Sequence, residues 1–356
     1  MHLRQDRMSS RERMDALFSY QKPDRVPIIA WGSPFGTHHA GYSVTDAFDD
    51  PEKAFHGCRL TWELYGWEPV GWIFAPTVLG AMDFGGEVRS PKGEFEGSEI
   101  IVSHPVKTET DLLNLKMPDP RRAGRIPQWL EFAKLQVAYG LPATFCTRSV
   151  FTMAGNICGL DLFCRWLIKK PDLAERAMKM AVDHIFNVMG YWVETFGPEK
   201  VFVFMASASE ASQVISPKHF EKFAIPFHME FQERMKALGI QRFLWHICGD
   251  QNRNLPYIAD LSSWKHPSIL TFGHEVDLDV AAKWFPDDII LGNIEPAILQ
   301  TGNSQQVYEL SRLALEKGMR MPGGYVLGPG CTLPPYAPPV NVFAMTKAVN
   351  DFGWYE

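Results

Sequence analysis

The chain has 356 residues, 46% of them hydrophobic and 21% charged, with a formal net charge of −6. That is the composition of a globular protein, and its acidity and lack of basic clusters argue against nucleic acid as a partner. No apolar run approaches the roughly 20 residues that span a bilayer, and the first ten residues lack a signal-peptide core, so a cytoplasmic protein with no membrane association is expected.

In chain order, Ser9-Ser10 caps an opening helix with an apolar stripe at Met14, Leu17 and Phe18, and Lys22-Pro23-Asp24 ends it. Arg25-Val-Pro-Ile-Ile-Ala-Trp31 is a buried first strand leading into a loop over 32–36. Residues 37–125 form an irregular decoration of a single domain spanning 1–356. They carry one clear helix over 51–65, a Gly-rich stretch at 82–86 and a strand over 99–104.

From Gly124 onward helices and strands alternate. Helices are expected over 127–139, 160–169, 172–196, from 217 toward 239, and over 255–261, 280–284, 305–317 and 339–352. Strands are expected over 142–147, 200–205, 243–248, 268–272, 288–292 and 324–327, with a small-residue loop at 206–210. Such alternation implies a parallel sheet. About eight units without a Gly-rich dinucleotide turn favour an α/β fold of the (β/α)8 TIM-barrel type, whose active site lies at the strands' C-terminal ends.

His246, Cys248, Cys331, Glu210, His274 and Glu295 all fall at such ends. In a strand, side chains at i and i+2 share a face, so His246 and Cys248 in Gln241-Arg-Phe-Leu-Trp-His-Ile-Cys-Gly-Asp250 project together. An imidazole and a thiolate make half of a zinc site, and Cys331 in Gly328-Pro-Gly-Cys331 is the candidate third ligand. A site with two thiolates and an open position suits alkyl transfer to sulfur, because the metal lowers the pKa of an incoming thiol while the added negative charge keeps its sulfur nucleophilic. The alternative is that these cysteines are inert and buried and that His246 is a core histidine.

Glu210 is a candidate fourth ligand or general acid–base, with an exposed or capping carboxylate as the alternative. His274 and Glu295 are further acid–base candidates, though Glu295 precedes Pro296 and also suits a helix cap. Asp250 orients His246 from behind or, more simply, forms a turn after Gly249. Cys58, Cys146, Cys158 and Cys164 lie in apolar segments and read as core.

The order of His246-Ile-Cys248-Gly-Asp250, Asp277-Leu-Asp-Val-Ala-Ala282, Leu291-Gly-Asn-Ile-Glu-Pro296 and Gly328-Pro-Gly-Cys-Thr-Leu-Pro-Pro335 resembles the uroporphyrinogen decarboxylase superfamily. Ser10-Arg-Glu-Arg-Met14 and Pro23-Asp-Arg-Val-Pro27 fit it as well. The closer likeness is to the superfamily's methyltransferase branch, which includes the methylcobamide:coenzyme M methyltransferases. This resemblance implies a (β/α)8 barrel and zinc on His246, Cys248 and Cys331. It also implies methyl transfer between a corrinoid (cobalamin) cofactor, presented by a separate carrier protein, and a small thiol, ether or methoxylated aromatic. A homodimer is also open. The decarboxylase branch carries an arginine-bearing signature after its first strand, and residues 30–36 here contain none. A metal-independent decarboxylase and a non-catalytic partner of a corrinoid protein remain the other readings. Two departures from the family pattern are Glu295 in place of an Asp and the Ser/Ala-rich stretch at 206–211.

Overall fold

The computed structural model describes residues 4–70, 78–240, 242–261 and 264–355. Its centre is a six-stranded parallel sheet in sequential order: β3 (Ala143–Arg148), β4 (Val201–Ser207), β5 (Phe243–Ile247), β6 (Ile269–Phe272), β7 (Ile289–Ile294) and β8 (Tyr325–Pro329). Every residue of β5, β6 and β8 is buried, as expected when helices cover one face of a parallel sheet and its other face packs inward.

The chain around Ile28 runs parallel to β8, with Ile29 N–H donating to the Leu327 carbonyl (3.0 Å) and Leu327 N–H to the Pro27 carbonyl (2.9 Å). On its other side Glu68 N–H donates to the Ile28 carbonyl. The first expected strand therefore sits at the β8 edge of the sheet, as barrel closure requires. The fold is an α/β TIM barrel. Gln241, with which the His246 stretch begins, and residues 71–77 of the irregular region lie outside the described residues.

Several local expectations are corrected. Residues 32–36 are not a loop: Ser33–His39 is a short helix, because Pro34 suits a first turn that needs no N–H. The 206–210 loop begins later than expected, since Ala206 and Ser207 still pair with β5. Val150–Cys158 is an additional helix, capped by Ser149, whose hydroxyl accepts the Thr152 N–H. The helix expected from 217 contains a π-helical stretch, Phe220–Ala224, before Ile225–Ala237.

Within 37–125 the helix Pro51–Tyr65 packs on Ser33–His39 at a glycine–glycine crossing. A Cβ on Gly57 would lie 2.6 Å from backbone atoms of Gly36 and Thr37. Gly57→Ala is therefore expected to lower stability by about 1–3 kcal/mol through overpacking. An unchanged thermal unfolding midpoint would show that the two helices separate freely. The same region carries an antiparallel ribbon, β1 (Glu87–Arg89) and β2 (Ile100–Ser103), whose connecting loop reaches the barrel mouth.

Candidate metal centre and its pocket

β5 delivers His246 near its C-terminal end, and Cys248 follows two residues later on the same face. Cys331 arrives from the loop after β8. Its neighbour Gly330 donates its N–H to the Ile294 carbonyl (2.7 Å), and a Cβ there would lie 2.9 Å from the His274 backbone nitrogen. Only glycine lets this loop pass so close to the β6 end and bring Cys331 inward.

One ligand atom each from His246, Cys248 and Cys331 lie within 4.8 Å of one another. The two Sγ atoms are 4.0 Å apart. That is far beyond a disulfide and close to the edge of about 3.8 Å that two 2.3 Å zinc–sulfur bonds subtend in a tetrahedron. His246 is only 4% exposed, yet neither ring nitrogen has a hydrogen-bond partner among the described residues. A buried imidazole left unpaired costs about 1–3 kcal/mol unless something binds it. Three soft or borderline donors, one of them orphaned, fit a zinc ion with an open fourth position.

The thiols divide into two kinds. Burial pushes Cys146 and Cys158 up to about 12 and raises Cys58 further, so these are inert core groups. Cys331 is held well below the usual thiol range by the hydrogen bond it receives from Cys248, against its burial and with help from His246. Cys248 is raised as the partner that keeps the shared proton.

The remaining candidates lie around this trio and not in it. Glu210 is buried against His228, with Oε2 3.0 Å from His228 Nε2 and Oε1 without a partner among the described residues. Its carbonyl accepts from Asn254 Nδ2. His274 is 43% exposed and stands 3.9 Å from Glu295 and 3.6 Å from Glu275. Glu295 precedes the helix Pro296–Thr301 without capping it through its side chain. Asp250 takes the simpler of its two alternatives, accepting from Asn252 N–H and Nδ2 in a turn.

The trio opens into a cavity of about 700 Å³ at the barrel mouth. Trp31, at the end of the first strand segment, packs edge-on against both His246 (5.5 Å between ring centroids) and Phe204 (5.7 Å), walling the cavity beside the trio. The ribbon loop roofs the cavity: Gln300 Nε2 donates to the Glu94 carbonyl (2.9 Å), and Phe95 is 77% exposed there. Sequence reasoning missed Trp31, Phe95, Thr152 and Arg148 as lining residues. For Arg148 a signal existed, because it ends β3 on the same side of the barrel as the other site residues.

Fold and site together define a TIM barrel with a His-x-Cys pair and a distant Cys at the mouth. The chain matches the family model described as Uroporphyrinogen decarboxylase (URO-D) over residues 9–352, and it belongs to that family. It is 25% identical to the methylcobamide:CoM methyltransferase MtbA of Methanosarcina acetivorans over 96% of this chain and 98% of that one. It is also 25% identical to MtaA, a methylcobamide:CoM methyltransferase of Methanosarcina barkeri, over 92% of this chain and 94% of that one. A solved methyltransferase from Methanosarcina mazei superposes with a TM-score of 0.78 at 23% identity, covering 97% of this chain and 99% of the other. The protein is an enzyme on the methyltransferase side of its family. No helix among the described residues is long and apolar enough to cross a membrane.

Proposed function

We propose that the protein transfers a methyl group between a corrinoid presented by a carrier protein and a small thiol, ether or methoxylated aromatic, with zinc held by His246, Cys248 and Cys331. The observation that carries this is the buried imidazole of His246, unpaired at both nitrogens beside a thiol pair at the floor of an open cavity. The curated relatives that align over nearly the whole chain are methylcobamide:CoM methyltransferases.

Bound there, zinc would make a thiol substrate a nucleophile near neutral pH or act as a Lewis acid on a leaving oxygen or sulfur. The corrinoid would supply the methyl group for transfer to a thiol, or accept it from an ether or thioether. The thiol proton leaves to solvent or to a nearby base. The chain's own contribution is to hold the heteroatom at the trio, wall it with Trp31 and Phe204, and limit water through the ribbon roof. His274 and Glu295, partly exposed, 3.9 Å apart and outside the cavity lining, are assigned to pass that proton onward to solvent. Glu210, sealed against His228 and outside the cavity lining, is assigned to brace the end of β4 next to Ser209 and not to acid–base work on the substrate.

The test follows cobalamin absorbance with purified, zinc-replete protein. Thiols should demethylate methylcob(III)alamin, or methyl ethers and thioethers should methylate cob(I)alamin, faster than without protein. No acceleration across thiols, thioethers and methoxyarenes would refute the assignment.

A further inference from the structure

Cys248 lies just past β5, and its backbone is held on both sides. Its N–H donates to the Ser207 carbonyl at the end of β4 (3.1 Å), and its carbonyl accepts from Gln251 Nε2 (3.1 Å). Gln251 Oε1 in turn accepts from Asn254 Nδ2 (2.8 Å), whose other hydrogen goes to the Glu210 carbonyl (3.0 Å). Both amide side chains are buried. The bonds also fix which way each amide faces, because Asn254 turned over would set its oxygen against the Glu210 carbonyl and Gln251 Oε1. An amide taken out of water is costly unless it is paired, so Gln251 and Asn254 are committed to the groups they hold.

From Glu210 the contacts lead back to the other ligand of β5. The Glu210 carboxylate meets His228 (3.0 Å) on the helix Ile225–Ala237, and the His228 ring packs on Trp245 (4.7 Å between centroids). Trp245 immediately precedes His246, and its Nε1 donates to Ser207 Oγ (2.8 Å). A closed ring of buried contacts thus starts at the Cys248 backbone and returns beside His246. A second tie runs between the same two loops, from the Ser212 N–H to the Asp250 carbonyl (2.9 Å). Gln251 and Asn254 do not line the cavity, so they stand behind the ligands and not against a substrate.

We propose that Gln251, seated by Asn254, is the positioning residue of Cys248: by holding that carbonyl it keeps the sulfur aimed at His246 and Cys331. That the aim serves a metal rests on the zinc reading; that Gln251 fixes Cys248 does not. Groups behind a metal's ligands orient them and strengthen binding, and losing one typically costs about 10- to 100-fold in affinity. The glycine that follows Cys248 makes such a hold necessary. Gly249 turns at φ +75°, and glycine gives the backbone no stiffness of its own there.

The experiment compares full-length wild type with Gln251→Met, which keeps the length of the side chain and removes its donor. Zinc affinity is read by competition with a chromophoric chelator, ligand geometry by the visible bands of the cobalt(II)-substituted protein, and Cys248 itself by its rate of alkylation in metal-free protein, followed by mass spectrometry. Gln251→Met should bind zinc about 10- to 100-fold more weakly, shift the cobalt bands and alkylate faster at Cys248. The control is Asn252→Ala, in the same loop but exposed and bonded only to Asp250 and the Glu275 carbonyl, which should match wild type in all three. Wild-type zinc affinity in Gln251→Met overturns the proposal, and so does an equal loss in Asn252→Ala, which would mark general loosening of the loop. If Gln251→Met fails to fold by circular dichroism, Gln251→Asn decides by the same readings, since its shorter amide no longer reaches the Cys248 carbonyl. Wild type that binds neither metal refutes the zinc reading, and the alkylation rates then decide this one: faster at Cys248 in Gln251→Met supports it, and an unchanged rate refutes it.

Discussion

Purified protein should carry close to one zinc per chain, and the double variant Cys248→Ser/Cys331→Ser should carry almost none. Elemental analysis reads this directly, with no need to know the substrate. The two thiols and His246 converge within 4.8 Å, and removing two of three donors leaves a lone imidazole that no longer competes with buffer for the ion. His246→Ala and Cys331→Ser should each lower methyl transfer by at least about 10³-fold, since polarisation by a metal is worth several kcal/mol. The fold should persist in all of these variants, because Cys248 and Cys331 lie in loops at the mouth and His246 sits near the C-terminal end of β5, where truncating its side chain leaves the backbone ladder intact. Full activity in either single variant would sink the metal assignment. Wild type prepared without chelators and still free of zinc would return the three residues to a structural role.

Arg13→Ala should destabilise the protein by about 3–5 kcal/mol, the expected cost of removing one partner from a buried ionic cluster. Arg13 lies on the first helix, Ser10–Phe18, and is fully buried. It holds Asp24 at 2.7 Å and Glu68 at 2.7 Å and donates to the Met8 carbonyl. Glu68 in turn accepts the Ile28 N–H of the first strand segment. The arginine therefore ties the N-terminal helix to the strand that flanks β8, and its loss strands two carboxylates in the interior.

The pH dependence follows with a definite sign. Burial raises the Asp24 carboxyl, but hydrogen bonds from Arg13 and from the Met8 and Arg7 N–H groups outweigh it and bring the pKa from 3.8 to about 2. A depressed carboxylate pKa stabilises the fold above the unfolded value, so this contribution is present above about pH 4 and fades as the pH falls toward 2. In Arg13→Ala that acid-labile contribution is absent, so the cost of the substitution should be larger at pH 7 than at pH 3. Urea unfolding at pH 7 and pH 3 tests both points, and a loss below about 1 kcal/mol at pH 7 would show that the cluster relaxes around the vacancy.

The barrel was legible because its signal is repetitive. Helix-period and strand-length apolar runs alternate from Gly124 onward, and the closing helix Pro339–Phe352 agrees to the residue, since Pro at its start and Gly353 after it are chemical stops. The short helix Ser33–His39 and the helix Val150–Cys158 were not legible. Gly32 through Gly36 reads locally as a turn, and only packing against Pro51–Tyr65 makes helix the better state there.

At the site, strand alternation alone places His246 and Cys248 on one face, and Cys331, 83 residues away after another short apolar run, stood out as the candidate third ligand before the family resemblance supported it. What no spacing rule contains is distance between strands that are remote in sequence. Tertiary structure decided that Cys331 comes within 4.0 Å of Cys248, that Glu210 is committed to His228, and that Trp31 walls the trio. It alone set Arg148 in the same row as His246, one strand apart on either side of Ala206. Periodicity records which way a side chain points, because that depends on local backbone geometry. Which side chains meet, and which are left without a partner, depends on the closing of the barrel, where register between strands brings distant segments together.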